Sequence, residues 1–471
     1  MSETEKRELY KYSAKEAVAY SFGQISLITA YQAFTFLVFT FYFSVVGLNV
    51  NLITLGFLIW SIWNAFNDPL MGYFSDKTHT KWGRRRPYIM FMLVPLALVM
   101  FLLFVPPRSY GILSNNSNFI YFVIIIMAFE FCYTTYDINL TSMLPEIFMT
   151  EEARIKANNI RQVFAIFGLV FAFILPSFFI ADYSDPNSLP EYHMFGYVIT
   201  IIIMIVGVIF LLFTPRERKE FQKDHMDVPG FFTSFKICLK NKSFRWAIPA
   251  FIGDFFVDTI LPTIVPLYGK FVLGIGEGET LFLSLLLGAT FLSAAIFITV
   301  LWKPVAKKIG VRKMWMISSA VWIATLAPLM FISDRWSGLI VFFLVGIGLA
   351  GSLYSKELIV SDIIDEDEVT TGIRRDASYF GIYIFFLRLG NIFVFFSIGL
   401  VFTNVGWATF DPTGTVDVIF GLRILGFVFP AIALLIIILT MYKYPLHGDY
   451  LKKIRRISEE IHEEKRKKLE E

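Results

Sequence analysis

The sequence predicts an all-α membrane protein with twelve transmembrane helices in two six-helix bundles, both termini cytoplasmic. Three observations predict it. Of 471 residues, 56% are hydrophobic and only 17% are charged, whereas a soluble domain carries about 25% charged residues. Apolar runs recur that match the roughly 20 residues a helix needs to cross a bilayer core. The lysines and arginines gather in alternate loops, which fixes an orientation. The net charge of +3 is too small to suggest a nucleic-acid partner.

The twelve runs cover residues 18–46, 50–75, 87–106, 118–145, 160–181, 195–214, 246–272, 279–302, 313–333, 337–361, 376–404 and 418–442. Proline or glycine inside several of them is tolerated in membrane helices. The loop after span 2 holds Lys77, Lys81, Arg84, Arg85 and Arg86. The loop after span 6 holds Arg216, Arg218, Lys219, Lys223, Lys236, Lys240, Lys242 and Arg245, and the loop after span 8 holds Lys303, Lys307, Lys308, Arg312 and Lys313. The loops after spans 1, 5 and 11 (GLNVNL, DYSDPNSLPEYH and TNVGWATFDPTGTVD) contain no lysine or arginine, and Arg108 and Arg335 stand as isolated exceptions. Basic loops stay in the cytoplasm, so both ends of the chain are expected there, in a multi-pass protein of the cell membrane. The mixed-charge N-terminus gives no reason to expect a cleaved signal peptide.

Residues 215–245 form a polar, basic linker between residues 1–214 and 246–444, and residues 445–471 read as an exposed charged helix or a disordered cytoplasmic tail. The halves echo each other. GYFSDKTHTKWGRRRP after span 2 corresponds to WKPVAKKIGVRKMW after span 8, and LPEIFMTEEARIKANNIR after span 4 to SDIIDEDEVTTGIRRDASYFG after span 10. A six-plus-six repeat is the trace of a two-bundle transporter with its substrate site between the halves.

Few ionisable residues fall within the spans, and each costs about 2.5–3.5 kcal/mol at a membrane-helix centre unless paired or hydrated. Span 2 carries Asn64, Asn67 and Asp68, at steps that share one helical face. Their oxygens suit a hard cation, Asp68 also suits a proton carrier, and the bland alternative is a polar patch near the helix end. Span 4 carries Glu130, Thr134 and Asp137 on one face, with Asn139 and Thr141 beyond. Span 11 holds one mid-span cation, Arg388, which needs an acid from another helix. A guanidinium suits such a pair, with the acids of spans 2 and 4 as candidates and a purely structural pair as the alternative. Asp254 and Asp258, one turn apart in span 7, fit a cavity lining and a structural role equally. Span 1 offers Gln24, Ser26, Thr29, Tyr31 and Gln32, neutral groups that suit a polyol, and Trp60 and Trp63 flank the span 2 patch. Cys132 and Cys238 are expected to be free thiols. No nucleotide-binding loop, metal-spaced Cys/His cluster or nucleophile–base set occurs, so neither an enzyme, nor a cofactor, nor ATP-driven transport is expected.

WNAFNDPLMGYFSDKTHTKWGRRRPYI resembles the signature after helix 2 of the glycoside–pentoside–hexuronide:cation symporters, the melibiose-permease-like branch of the major facilitator superfamily. SDIIDEDEVTTGIRRDASYFG resembles that family's loop before helix 11. The resemblance implies the major facilitator fold and cation-coupled symport of a sugar or glycoside, with Na+ or H+ as coupling ion, in a monomer within the lipid bilayer. It implies a cation site at Asn64, Asn67, Asp68 and Thr134, with Asn64 standing where sodium-coupled members have an acid. That departure admits proton coupling through Asp68, or no coupling. Asp137 matches the acid that binds sugar, Arg161 the arginine at the start of helix 5, and Arg388 takes the place of a lysine. Gln32 and Thr141 join the implied substrate site, although Thr141 replaces a tryptophan and Ile28 an acid, so galactoside specificity does not carry over. Asp76, Arg84 and Arg85 are implied as a cytoplasmic gate. A lysophospholipid or other amphiphile carrier of this fold, and a non-transporting membrane sensor, are the competing readings.

Overall fold

The computed structural model describes residues 13–470 apart from residues 79, 81, 84, 149, 150 and 216–230. Its first half comprises α1 (Ala14–Thr40), prolonged by a π-helical turn at Phe41–Val45, then α2 (Val50–Lys77), α3 (Arg86–Leu102), α4 (Asn115–Ile147), α5 (Glu151–Phe173) and α6 (Leu189–Phe213). The rest comprises α7 (Phe231–Lys240), α8 (Lys242–Phe271), α9 (Thr280–Phe297), α10 (Lys303–Ile309), α11 (Val311–Leu326), α12 (Arg335–Thr371), α13 (Asp376–Arg388), α14 (Gly390–Asn404), α15 (Val416–Lys443) and α16 (Gly448–Glu470). Among the described residues, eleven candidate spans are long and apolar enough to cross a membrane; the predicted third span is a shorter apolar helix, α3.

Local chemistry sets many of the helix starts. Asn49, Asn241 and Asp334 accept backbone N–H bonds from Asn51, Phe244 and Trp336 at 2.9, 2.9 and 3.0 Å, satisfying donors that a first turn leaves free. Apolar side chains face outward along the spans, including Leu55, Ile59 and Ile62 of α2, Ile201, Ile205 and Leu212 of α6, and Leu435 and Leu439 of α15. Such surfaces would associate in water and are at home in lipid.

Within the first half α1 packs on α5 and α6, while α4 packs on α2 and α3. Within the second, α15 packs on α8 and α11, and α12 on α9 and α11. Across the halves, α2 meets α13 and α14, and α1 meets α8. Many of these cross-contacts lie at the end of the molecule with few cations. There Val50 N–H donates to Ala408 O and Gly278 N–H to Ala181 O, both at 2.8 Å. Thr280 Oγ1 donates to Ile180 O at 2.8 Å, and Lys270 Nζ pairs with Asp182 Oδ2 at 2.6 Å. Deeper in, the rings of Phe57 and Phe395 stack. Lys270 adds a cation at an end where only Arg108 and Arg335 were singled out in the sequence.

Two segments depart from the sequence reading. The acidic stretch after predicted span 10 is not a loop: α12 runs on through it to Thr371 and stops at Gly372, whose φ of +73° is left-handed backbone that glycine adopts freely. Its acids are buried in ion pairs, Asp362 with Arg455 at 2.7 Å, Asp367 with Arg375 at 2.9 Å and Glu368 with Arg374 at 2.8 Å. The tail is helical rather than disordered. α16 lies along α12, with His462 Nε2 2.8 Å from Glu368 and Tyr450 OH donating to Glu366 at 3.0 Å.

Predicted span 11 is two helices meeting at Leu389. Gly390, which opens α14, lies on the backbone of α8. A Cβ there would stand 2.8 Å from Ile252 O and 3.0 Å from Phe256 N. Gly390→Ala is therefore expected to cost about 1–3 kcal/mol of overpacking strain and to lower the melting temperature of the purified protein. An unchanged melting curve would show that α14 has room to move.

Candidate functional site

The polar faces of α2 and α4 turn toward each other and toward the end of α13. Thr134 Oγ1 stands 3.0 Å from Asp68 Oδ1 and 2.9 Å from Glu130 Oε1. One hydroxyl carries one proton, so it serves one carboxylate at a time. Asn67 Nδ2 donates to the backbone O of Glu130 at 3.2 Å, tying α2 to α4.

Arg388, the last residue of α13, reaches across from the second half. Its Nη2 lies 3.0 Å from Asp68 Oδ2 and its Nη1 2.8 Å from Glu130 Oε1, and Nη1 also donates to Asn64 Oδ1. Glu130 is fully buried, and the Arg388 and Asp68 side chains are 13% and 17% exposed. Burial of this depth makes the ions depend on one another. The desolvation of each is offset only while its partners are in place. Two carboxylates face one guanidinium, so with both ionised the cluster is one positive charge short of neutral. Asn64 Nδ2, Asn67 Oδ1 and Glu130 Oε2 are buried without a hydrogen-bond partner.

Two helical turns further along α4, Asp137 Oδ1 accepts from Thr141 Oγ1 at 3.2 Å, with Thr141 exposed. Arg161 of α5 is partly buried and its Nε has no hydrogen-bond partner. Gln32 of α1 is partly buried. Tyr31 of α1 packs on Tyr133 of α4 with ring centroids 5.0 Å apart. Ser26 and Thr29 have a different use: they donate to Ile203 O and Gly168 O at 3.4 and 3.3 Å and bind α1 to α6 and α5. Tyr31, Trp60, Thr259, Asn391 and Phe395 enclose a cavity of about 10 Å³, room for about one water. Trp60 Nε1 and Asn391 Nδ2 are buried and unpartnered beside it.

Of the gate residues, Arg84 and the side chain of Asp76 lie outside the described residues. Arg85 is the N-cap of α3, and the neighbouring Arg86 donates to Thr214 O at 3.0 Å and to Leu211 O, anchoring α3 to the end of α6.

A second ion cluster lies in the other half. Lys356 Nζ bridges Asp254 Oδ2 at 2.9 Å and Asp258 Oδ2 at 2.8 Å, and Ser352 Oγ donates to Asp254. The sequence reading named the two acids without their lysine. The signal was present: Lys356 is the lone cation in predicted span 10, one turn from Ser352.

Residues 19–448 match the family model described as MFS/sugar transport protein. The chain belongs to this family. It is a family of transporters and not of enzymes, the melibiose-permease-like cation symporters of the major facilitator superfamily. Among its relatives, the inner membrane symporter YicJ of Escherichia coli (strain K12) is 24% identical, covering 81% of this chain and 80% of that protein. The glucuronide carrier protein homolog of the same organism is 22% identical and covers 94% of each. The crystal structure of the nucleoside transporter NupG superposes with a TM-score of 0.66 at 15% identity, covering 92% of this chain and 99% of that one, a likeness of fold. For an MFS/sugar transport protein, the joining of α2, α4 and α13 by buried charge is the notable feature. It links the halves through ion pairs buried between them.

Proposed function

We propose that the protein carries a sugar or glycoside across the cell membrane by cation-coupled symport, with alternating access between twelve spans and both termini cytoplasmic. The observation that carries this reading is Arg388. It is held by the second half and bonded to Asp68 and Glu130 of the first, so the charge of the cluster and the relative position of the halves are linked. Asn64, Asn67, Asp68 and Thr134 form the coupling site with Glu130 and Arg388. Asp137, Arg161, Gln32 and Thr141 form the substrate site beside it.

In this mechanism the arrangement described above is the inward-facing one, because the halves are joined at the cation-poor, extracellular end. Rocking about the central site closes the cytoplasmic end and opens the other. A cation supplies the charge that Asp68 and Glu130 lack, and a sugar bound at Asp137 is favoured when the cluster is neutral. By linkage, sugar raises cation affinity by the same factor.

The test is flux into proteoliposomes containing the purified protein, with labelled pentosides, hexosides and hexuronides and an imposed Na+ gradient, proton gradient or neither. Accumulation of one of these sugars above its outside concentration under one gradient is expected. Absence of any sugar flux would overturn the reading.

A further inference from the structure

We infer that the guanidinium of Arg388 occupies the coupling-cation site as a tethered cation, excluding Na+ from the resting protein, and that removing this side chain uncovers a Na+ site. The inference rests on the reading of the α2–α4 cluster as the coupling site and deepens it.

The surroundings of the guanidinium are a set of oxygens. Asp68, Glu130 and Asn64 each present one to it. Thr134 Oγ1 stands within hydrogen-bond distance of both carboxylates. Asn67 Oδ1 and Glu130 Oε2 are two further buried oxygens without a hydrogen-bond partner. Carboxylate, hydroxyl and amide oxygens from two helices are the donors a hard monovalent cation takes. No nitrogen or sulfur ligand that would favour a transition metal is among them.

A second carboxylate reaches the guanidinium from α4. Asn64 is neutral, and Glu130 on α4 brings a carboxylate to the same guanidinium that Asn64 touches. The cluster therefore keeps two acids although α2 contributes one.

Arg388 blocks the use of those oxygens by an ion from solution. Its two terminal nitrogens engage both acids and Asn64, so a Na+ at the centre would meet a buried like charge at contact distance. The competition is also unequal. A side chain fixed at the end of α13, next to Gly390 packed on α8, competes as an intramolecular ligand at high effective concentration. Na+ must arrive from solution and lose its water.

Thermal melting of the detergent-purified full-length protein, titrated with NaCl against choline chloride at constant ionic strength, tests this. Wild type is expected to melt identically in both salts and to show no saturable binding of radioactive sodium. Arg388→Gln is expected to melt higher in Na+ than in choline by at least about 2 °C, saturably, because a ligand that binds only the folded state stabilises it. Arg388→Gln/Glu130→Gln, with one carboxylate fewer, should lose that dependence. A saturable, sodium-specific rise in wild type overturns the inference, as does a folded Arg388→Gln that is indifferent to Na+. The wild-type arm needs no variant to fold and can overturn the inference by itself. It is also separate from transport. No sugar flux together with this sodium pattern would sink the carrier reading and leave the tethered cation standing.

Discussion

Lys356→Met is expected to destabilise the protein by about 3–5 kcal/mol, the cost of breaking a buried ion pair from one side. Methionine matches the lysine stem and keeps the packing, so the loss isolates the charge. Without the ammonium, Asp254 keeps only the Ser352 hydroxyl and Asp258 keeps no partner that the structure shows. Both carboxylates then stand one helical turn apart in α8, and Asp254 is fully buried. Like charges at that separation add to the desolvation each already carries. The triple variant Lys356→Met/Asp254→Asn/Asp258→Asn, which removes all three charges together, should recover most of the loss, as replacing whole buried ion clusters by neutral groups often does. Asp258→Asn alone should be nearly silent, since it leaves Lys356 paired with Asp254, which also accepts from Ser352. Melting of the four purified proteins in one detergent reads the series. A Lys356→Met protein as stable as wild type would show that the two acids do not depend on the lysine.

The same cluster shows where sequence stops being informative. Asp254 and Asp258 lie about one turn apart on α8, and helical periodicity places them on one face from sequence alone. Their partner lies about a hundred residues later on α12. No periodicity says which helices adjoin, so the lysine remained one polar residue in a predicted span. The faces of α2 and α4 were legible for the converse reason. Asn64, Asn67 and Asp68, and likewise Glu130, Thr134 and Asp137, follow the three- and four-residue steps of a helix, and Arg388 had to find an acid somewhere. That α13 ends at Arg388 was not legible. Leu389 keeps helical dihedrals, and the interruption depends on how Gly390 meets α8. The continuation of α12 through SDIIDEDEVTT was hidden for an energetic reason. A run of acids reads as loop until the arginines that pair with it, Arg455 among them far along the chain, are in view.

Glu130→Gln is expected to uncouple transport while leaving exchange. Glutamine keeps the shape and an oxygen for Arg388 Nη1, so the fold and the contact between halves persist. What changes is the charge. Arg388 and Asp68 then balance each other, and the cluster no longer lacks a positive charge. A coupling cation has nothing left to neutralise, and its binding ceases to favour either position of the halves, because a ligand shifts an equilibrium only by its difference in affinity for the two states. Accumulation of sugar against its gradient should fall by at least about tenfold, a loss of roughly 1.4 kcal/mol or more of coupling. Counterflow, in which labelled sugar enters against unlabelled sugar with no ion gradient, should stay within about threefold of wild type, since each half-cycle still moves a loaded carrier of balanced charge. Asp68→Asn removes the other acid and should behave alike, since Thr134 stands within hydrogen-bond distance of both carboxylates and keeps one in either variant. The two assays on one preparation of proteoliposomes separate the possibilities. Loss of both accumulation and counterflow would make Glu130 part of the path the sugar takes. Full accumulation by Glu130→Gln would remove it from coupling and leave Asp68 alone to respond to the ion.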